Sequence, residues 1–204
     1  NSGFEATVGY TSHGAGSFRY FLNLSGWYAR NKIVFMSETP QSEDYMYRTG
    51  RPVNQPFLLV DLGFFQDQPD IDGSPEQVFA EVQPGDLKYE DKNGDGLVDQ
   101  KDLYPSGYTD VPEMTFSFNA GLKYKSIYMD MLFVGVTNRS VYLTGKDFYA
   151  FQQDAKVTSW ALERWTPDTR NIANYPRLSS MNNQNNFQPS TFWQRDGSFV
   201  KLQY

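Results

Sequence analysis

From Phe18 to Ala29 the chain alternates between two kinds of side chain for a dozen residues, with no proline to interrupt it. One face reads Phe18, Tyr20, Leu22, Leu24, Gly26 and Tyr28; the other reads Arg19, Phe21, Asn23, Ser25, Trp27 and Ala29. Period-two alternation is the mark of a β-strand with two unlike faces. Strands in soluble proteins typically run about 5–6 residues. About 9–11 residues or more are needed to cross a bilayer at a tilt.

The remaining strands are sought around this one. In residues 3–11, Phe4, Ala6, Val8 and Tyr10 alternate with Glu5, Thr7, Gly9 and Thr11. The Ser12-His13-Gly14-Ala15-Gly16-Ser17 run between the two has turn chemistry. A second hairpin is expected from strands 115–125 and 127–137, joined at Lys125-Ser126, and a final strand begins at 197 and continues to 204. Asp130 is the only charge on the 127–137 strand, so its face is assigned to water. The connections between hairpins, 30–113 and 138–196, are long and rich in Pro, Gly, Asp and Gln. Short strands are expected within the first, for instance 57–65, and one helix within the second, 155–165, with Asp154 as its N-cap and Val157, Trp160, Ala161 and Trp165 at helical spacing.

Connections therefore alternate short, long, short, long, which puts every short turn at one end of the sheet and every long loop at the other. Outer-membrane barrels show this asymmetry. The expected fold is all-β: an antiparallel transmembrane β-barrel segment with long extracellular loops, since five strands are too few to close a barrel of the smallest size, about 8. Alternation reads the same whether the apolar face meets lipid or a protein interior. A secreted, calcium-stabilised β-sandwich that binds glycans therefore remains the alternative.

Composition narrows the chemistry. The 204 residues carry a net charge of −6 and contain no cysteine. A mildly acidic chain has no electrostatic footprint for nucleic acid, and without cysteine there is neither a disulfide frame nor a thiol nucleophile. No apolar run approaches the ~20 residues of a membrane helix, and the first eight residues do not read as a signal peptide. The chain holds 4 Trp, 14 Tyr and 16 Phe, yet its mean hydropathy is −0.60. Half-apolar strands joined by polar loops reconcile those two facts.

One motif carries specific chemistry. Residues 91–102 read Asp-Lys-Asn-Gly-Asp-Gly-Leu-Val-Asp-Gln-Lys-Asp. Oxygen donors fall at loop positions one, three, five, nine and twelve: Asp91, Asn93, Asp95, Asp99 and Asp102. Gly96 occupies position six, where the loop turns sharply, and Leu97 at position seven offers its carbonyl. Ca²⁺ takes about 6–8 oxygens, which this spacing wraps around one point. Asp102 is shorter than the glutamate usual at position twelve and contributes one oxygen or none. Flanking helices are not expected, so the ion is read as structural; the alternative is a solvated acidic turn. Leu87, Tyr89, Leu103 and Tyr104 are read as anchors on either side.

No catalytic constellation stands out, and the chain is not read as an enzyme. The single histidine, His13, lies in a Gly-rich turn, so a Ser-His-Asp triad lacks a credible base. A glycoside-hydrolase carboxylate pair cannot be located among 24 acidic residues by sequence. Trp160, Trp165, Tyr175 and Trp193 are candidates either for stacking on sugars or for packing within the loops.

Pro84-Gly85-Asp86-Leu87-Lys88-Tyr89 running into the 91–102 loop, then Gly107 and Pro112, resembles the SusC/RagA family of TonB-dependent transporters. So do Gly50-Arg51-Pro52-Val53, Trp165-Thr166-Pro167, Tyr175-Pro176-Arg177-Leu178 and Asp196-Gly197-Ser198-Phe199-Val200-Lys201-Leu202. The resemblance implies a segment of a barrel of about 22 strands in the outer membrane of a Gram-negative, Bacteroidetes-type cell. It also implies an N-terminal plug, energy from the TonB complex through a part not visible here, import of glycans or oligopeptides, and a SusD-like surface lipoprotein as partner. The 91–102 loop would then lie on the extracellular side.

Overall fold

The computed structural model describes residues 1–13, 16–152, 156–180 and 183–203. Its strands are β1 (Ser2–Thr11), β2 (Phe18–Arg30), β3 (Phe57–Leu58), β4 (Asp61–Phe64), β5 (Glu76–Gln77), β6 (Leu87–Tyr89), β7 (Leu97–Val98), β8 (Tyr104–Pro105), β9 (Met114–Tyr124), β10 (Ile127–Thr137), β11 (Ser140–Tyr142), β12 (Gln194–Asp196) and β13 (Phe199–Leu202). Among the described residues the one α-helix, α1, is short (Gln68–Asp72) and capped by Asp67, whose carboxylate accepts from the N–H of Asp70.

The long strands form one antiparallel sheet in the order β1-β2-β9-β10-β13. Its register aligns the apolar stripes across all five strands. Val8 faces Leu24, Leu24 faces Phe118, and Phe118 faces Phe133, which faces Leu202. The hairpin β9–β10 closes on two residues, Lys125 and Ser126, with Lys125 at φ 53. Tight hairpins favour such a backbone because it matches the strand twist. At the opposite end, Glu113 ties three strands together. Its carbonyl accepts from the N–H of Ala29, its N–H donates to the carbonyl of Asn138, and its carboxylate lies 3.2 Å from Arg30 Nε.

The apolar face of this sheet has no protein over it among the described residues. Every residue of β1 is exposed, with Val8 at 70% and Phe4 at 67%, and on β2 Leu24 stays at 54%. Aromatic rings mark both ends of that face. Phe4 and Tyr28 meet near the long connections, with centroids 6.0 Å apart, while Tyr10, Phe18 and Tyr20 cluster near the short turns. Aliphatic residues fill the span between.

The core lies elsewhere. Leu59, Leu87, Tyr89, Val98, Tyr149, Ala161, Tyr175 and Trp193 are buried together, and they come from both long connections. The two insertions thus fold into one unit stacked on the loop end of the sheet. Short ladders bind it: β3 with β8, β4 with β6, β5 with β7 in parallel, and β11 with β12. The chain crosses between insertions where the N–H of Leu59 donates to the carbonyl of Pro189 and Thr191 returns a bond to Leu59.

At the centre of the unit sits a buried carboxylate. Asp86 is fully enclosed. Its Oδ1 accepts from the side-chain amides of Asn183 (2.7 Å) and Asn186 (2.8 Å), and Oδ2 accepts from Arg177 Nη2 (3.0 Å) and the N–H of Gln83 (2.8 Å). Beside it, Gly85 holds φ +91 with the Trp165 ring where a Cβ would stand. Both features explain why Pro-Gly-Asp is required there: no side chain fits at 85, and the charge at 86 is what the second insertion folds around.

The helix expected over 155–165 does not form. Residues 153–155, including Asp154, lie outside the described residues, and the following stretch makes a 3-10 helix, Ser159–Glu163, with no side-chain cap. The helical-looking stripe divides: Ala161 and Trp165 are buried, whereas Trp160 and Val157 are exposed. The N–H of Trp165 pairs with the carbonyl of Tyr175 instead of an earlier turn of its own helix. Similarly, the final strand runs only from Phe199 to Leu202, and Tyr204 lies outside the described residues.

Removing one partner of a buried, paired charge leaves the other uncompensated, at about 3–5 kcal/mol. Replacing Asp86 with Ala is therefore expected to loosen both insertions together. Hydrogen exchange should show amides around Leu59 and Leu87 losing protection in step, while the β2–β9 ladder keeps its own.

Candidate metal centre and loop unit

The 91–102 loop begins directly after β6 and contains β7. Leu87 and Tyr89, on its near side, are buried in the core, and Tyr104, beyond it, packs against Tyr45 with centroids 5.5 Å apart. The Tyr45 hydroxyl donates to the carbonyl of Lys101 at 2.7 Å, and burial, reinforced by the Asp102 carboxylate, pushes that phenol up to about 12. The anchors expected from sequence are therefore in place.

Within the loop the side-chain oxygens fold back on the backbone. Asp91 accepts from the N–H groups of Gly94 (2.7 Å) and Gly96 (2.8 Å). Asn93 Oδ1 accepts from the N–H of Asp95, and Asp95 Oδ1 accepts from that of Leu97. The last of these bonds, with help from Asn93 and Lys101, holds the Asp95 carboxyl below its usual range. Gly94 and Gly96 stand at φ +74 and +87, the left-handed turn that the motif requires. Asp99 accepts from the N–H of Lys101, and the Lys101 ammonium lies 3.4 Å from Asp95 and 3.6 Å from Asp99.

Asp102 behaves differently from the other four. It is 1% exposed, and its oxygens accept from the N–H groups of Lys92, Asn93 and Asp99. Three amides on one carboxylate make it the pin that closes the loop. Asp91, Asn93 and Asp95 lie on one turn, with Asn93 Nδ2 3.1 Å from Asp95 Oδ2. Among the described residues no three acidic side chains converge as a ready metal cage.

Of the four loop aromatics considered for sugar stacking, Trp165, Tyr175 and Trp193 are buried. Tyr149 and Tyr175 meet Trp193 edge-on in the core. Only Trp160, 47% exposed and set against Phe148, presents a ring to solvent. An open recess of about 880 Å³ runs beside α1, lined by Phe65, Gln68, Asp72, Glu76 and Gln83 among others. Sequence reading missed it, because its lining comes from irregular chain with no period to detect. His13 is exposed, as a turn residue should be.

No family model matches the chain. Over 146 residues, 69% of its length, it is 28% identical to the TonB-dependent receptor P26 of Formosa agariphila. Its fold matches the RagAB peptide transporter with a TM-score of 0.66 at 14% identity, covering 98% of this chain and 21% of that one. The RagAB peptide importer in its closed-closed state gives a TM-score of 0.64 at 15% identity, covering 98% and 22%. The chain has the fold of a segment of a TonB-dependent transporter. The resemblance to SusC/RagA proteins is thus met in sequence by P26 and in fold by RagAB. The chain spans about a fifth or less of the length of the proteins it matches, a receptor and a transporter.

Two carboxylates outside the 91–102 loop are held below their ordinary range. The Lys88 ammonium, 2.7 Å away, holds Asp70 below the ordinary carboxylate range. The Thr49 hydroxyl, then the N–H of Arg48, does the same for Glu38. A group whose folded pKa is lowered contributes stability above its unfolded pKa, roughly 4 for these types, and loses it as pH falls through the folded value. Amide protection at Gln66, Arg48 and Thr49 is expected to hold at neutral pH and to drop below about pH 4, ahead of the sheet amides.

Proposed function

We propose that this chain is part of the wall of an outer-membrane importer. In this reading the five-stranded sheet crosses the bilayer and the loop unit caps the extracellular end. The observation that carries it is the exposed apolar face, unbroken across all five strands and edged by aromatic rings at both ends. Outer-membrane barrels carry an outward apolar band about 25 Å tall with aromatic girdles. Tyr20 and Tyr28 stand eight residues apart on β2, about 27 Å along the strand and less once the strand tilts. The β-sandwich alternative needs a second sheet over that face, and among the described residues none lies there.

The solute would be a glycan or an oligopeptide. Likeness to RagAB favours a peptide; the amide- and carboxylate-lined recess beside α1 suits donors of either kind. Energy would come from the TonB complex, and a SusD-like surface lipoprotein would sit over the loop unit. The cell would be Gram-negative, as the likeness to a Formosa receptor supports.

Calcium is part of the proposal. Its entry asks Lys101 to swing away; the Asp91 and Asp95 oxygens, each with lone pairs beyond the amides they accept, would then stand with Asn93, Asp99 and the Leu97 carbonyl as donors, with Asp102 as pin. A bound ion would rigidify the loop between β6 and β8, next to the core. Replacing Asp95 with Ala is expected to lower calcium content of the purified protein and to increase exchange of the loop amides; unchanged metal content would remove the ion from this account.

The orientation of the sheet is tested by paired arginines. An arginine on a lipid face near the bilayer midplane costs about 2–4 kcal/mol, whereas a lumen substitution is tolerated. In the full-length protein, Leu24→Arg should sharply reduce the folded barrel recovered from outer membranes. Ser25→Arg, one residue along, should leave it near the wild-type amount. Equal recovery of both variants would contradict a lipid-facing stripe.

A further inference from the structure

Asparagine is followed by glycine once in the sequence, at Asn93-Gly94 in the 91–102 loop. Gly94 is exposed and Asn93 half-buried. A Cβ built on Gly94 would meet nothing within 4 Å, so no neighbouring chain crowds that residue. Without a side chain of its own, its backbone nitrogen can approach the preceding side chain closely.

Three atoms must change partners if that nitrogen is to attack the Asn93 amide, and each already holds a suitable one. The Gly94 N–H donates to Asp91 Oδ1 at 2.7 Å, so a carboxylate stands where the proton must go. Asn93 Oδ1 accepts from the N–H of Asp95 at 2.9 Å, which folds the side chain along its own backbone. The same donor polarises the amide carbonyl and stays in place as charge builds on its oxygen. The leaving nitrogen, Asn93 Nδ2, lies 3.1 Å from Asp95 Oδ2. Other asparagines turn to distant chain. Asn31 Oδ1 accepts from the N–H of Val53, and Asn174 Nδ2 donates to Glu163. Asn183, Asn185 and Asn186 are buried.

We propose that Asn93 is a self-modification site, which the folded loop converts by deamidation. Gly94 N bonds to Asn93 Cγ and its proton passes to Asp91. The Cγ–Nδ2 bond breaks, and the nitrogen leaves as ammonia with a proton taken in exchange. Water then opens the cyclic imide at either carbonyl, leaving an aspartyl or an isoaspartyl residue at 93. Both products add a negative charge next to Asp95 and remove the amide that bonded it, so a hydrogen bond gives way to repulsion. The isoaspartyl product also lengthens the main chain between 93 and 94, so Asp91 can no longer hold the N–H groups of Gly94 and Gly96 together. Aged protein therefore carries a more acidic, looser loop beside an unchanged core. The reaction needs no metal ion and does not depend on the orientation of the sheet.

The test follows every asparagine of the folded, full-length protein by peptide mass spectrometry during incubation at mildly alkaline pH with a chelator present. Asn93 should convert while Asn31 and Asn174 keep their amides. Hydrogen exchange at Gly94 and Gly96 should rise in step with the isoaspartyl fraction. Asp91→Asn, which keeps the shape of the side chain but is a poorer proton acceptor, should slow the conversion several-fold. An Asn93 that stays intact, or that converts only after denaturation, overturns the proposal. So does an Asp91→Asn protein that converts as fast as the wild type.

Discussion

The structure depends on a separation between where its hydrogen bonds are satisfied and where its apolar surface is covered. Four long strands and the short β13 satisfy one another's backbone groups through an antiparallel ladder, yet among the described residues nothing of this chain covers their apolar face. In water such a sheet would be a large exposed patch of the sort that marks an interaction surface or an aggregation hazard. In a hydrocarbon layer the same arrangement is the stable one, since lipid supplies the cover and the ladder pairs the backbone between neighbouring strands. The outer strands β1 and β13 still present free edges, which a wall segment would give to neighbouring strands.

The loop unit has the opposite design. It has little regular structure, but it has a core. Two insertions separated by a whole hairpin depend on each other: Leu59, Leu87, Tyr89 and Val98 from the first pack against Tyr149, Ala161, Tyr175 and Trp193 from the second. Asp86 from the first is enclosed by Arg177, Asn183 and Asn186 from the second. Buried polar groups of this kind fix one arrangement out of many. A unit held by two-stranded ladders alone gains that uniqueness from a charge that only one set of partners can satisfy.

The sequence conveyed the sheet well and the cap poorly, for a physical reason. A strand with unlike faces writes its environment in period two, so the stripe from Phe18 to Tyr28 and its partners at 115–125 and 127–137 could be read residue by residue. The cap's buried residues follow no period because they sit on short strands and 3-10 turns. Thus the stripe of Val157, Trp160, Ala161 and Trp165 suggested an α-helix, where only Ala161 and Trp165 are inside. Asp86, Asn185 and Asn186 are buried with no period in the sequence to mark them as inside, and Trp165, Tyr175 and Trp193 read equally as sugar platforms or as core. The turn of the 91–102 loop was legible in the spacing of Gly94 and Gly96, both at positive φ. What spacing cannot reveal is that Asp102 spends its oxygens on three amides.

That last detail bears on what the 91–102 loop is for. A turn built only to bind an ion would collapse by repulsion among its carboxylates when the ion leaves. Here Asp91 and Asp95 hold glycine and leucine amides, and Lys101 lies between Asp95 and Asp99. The loop therefore has a folded form of its own, pinned by Asp102 and clamped by Tyr45. Ion entry would displace Lys101 and add bonds to a turn already formed around a fixed pin, so its effect should be to stiffen the turn rather than to create it. The residues that would feel such stiffening are Leu97 and Val98, whose strand β7 runs parallel to β5 along the recess lined by Glu76 and Gln77. Any stiffening of the loop reaches that recess through this two-strand contact and not through the ion's own coordination.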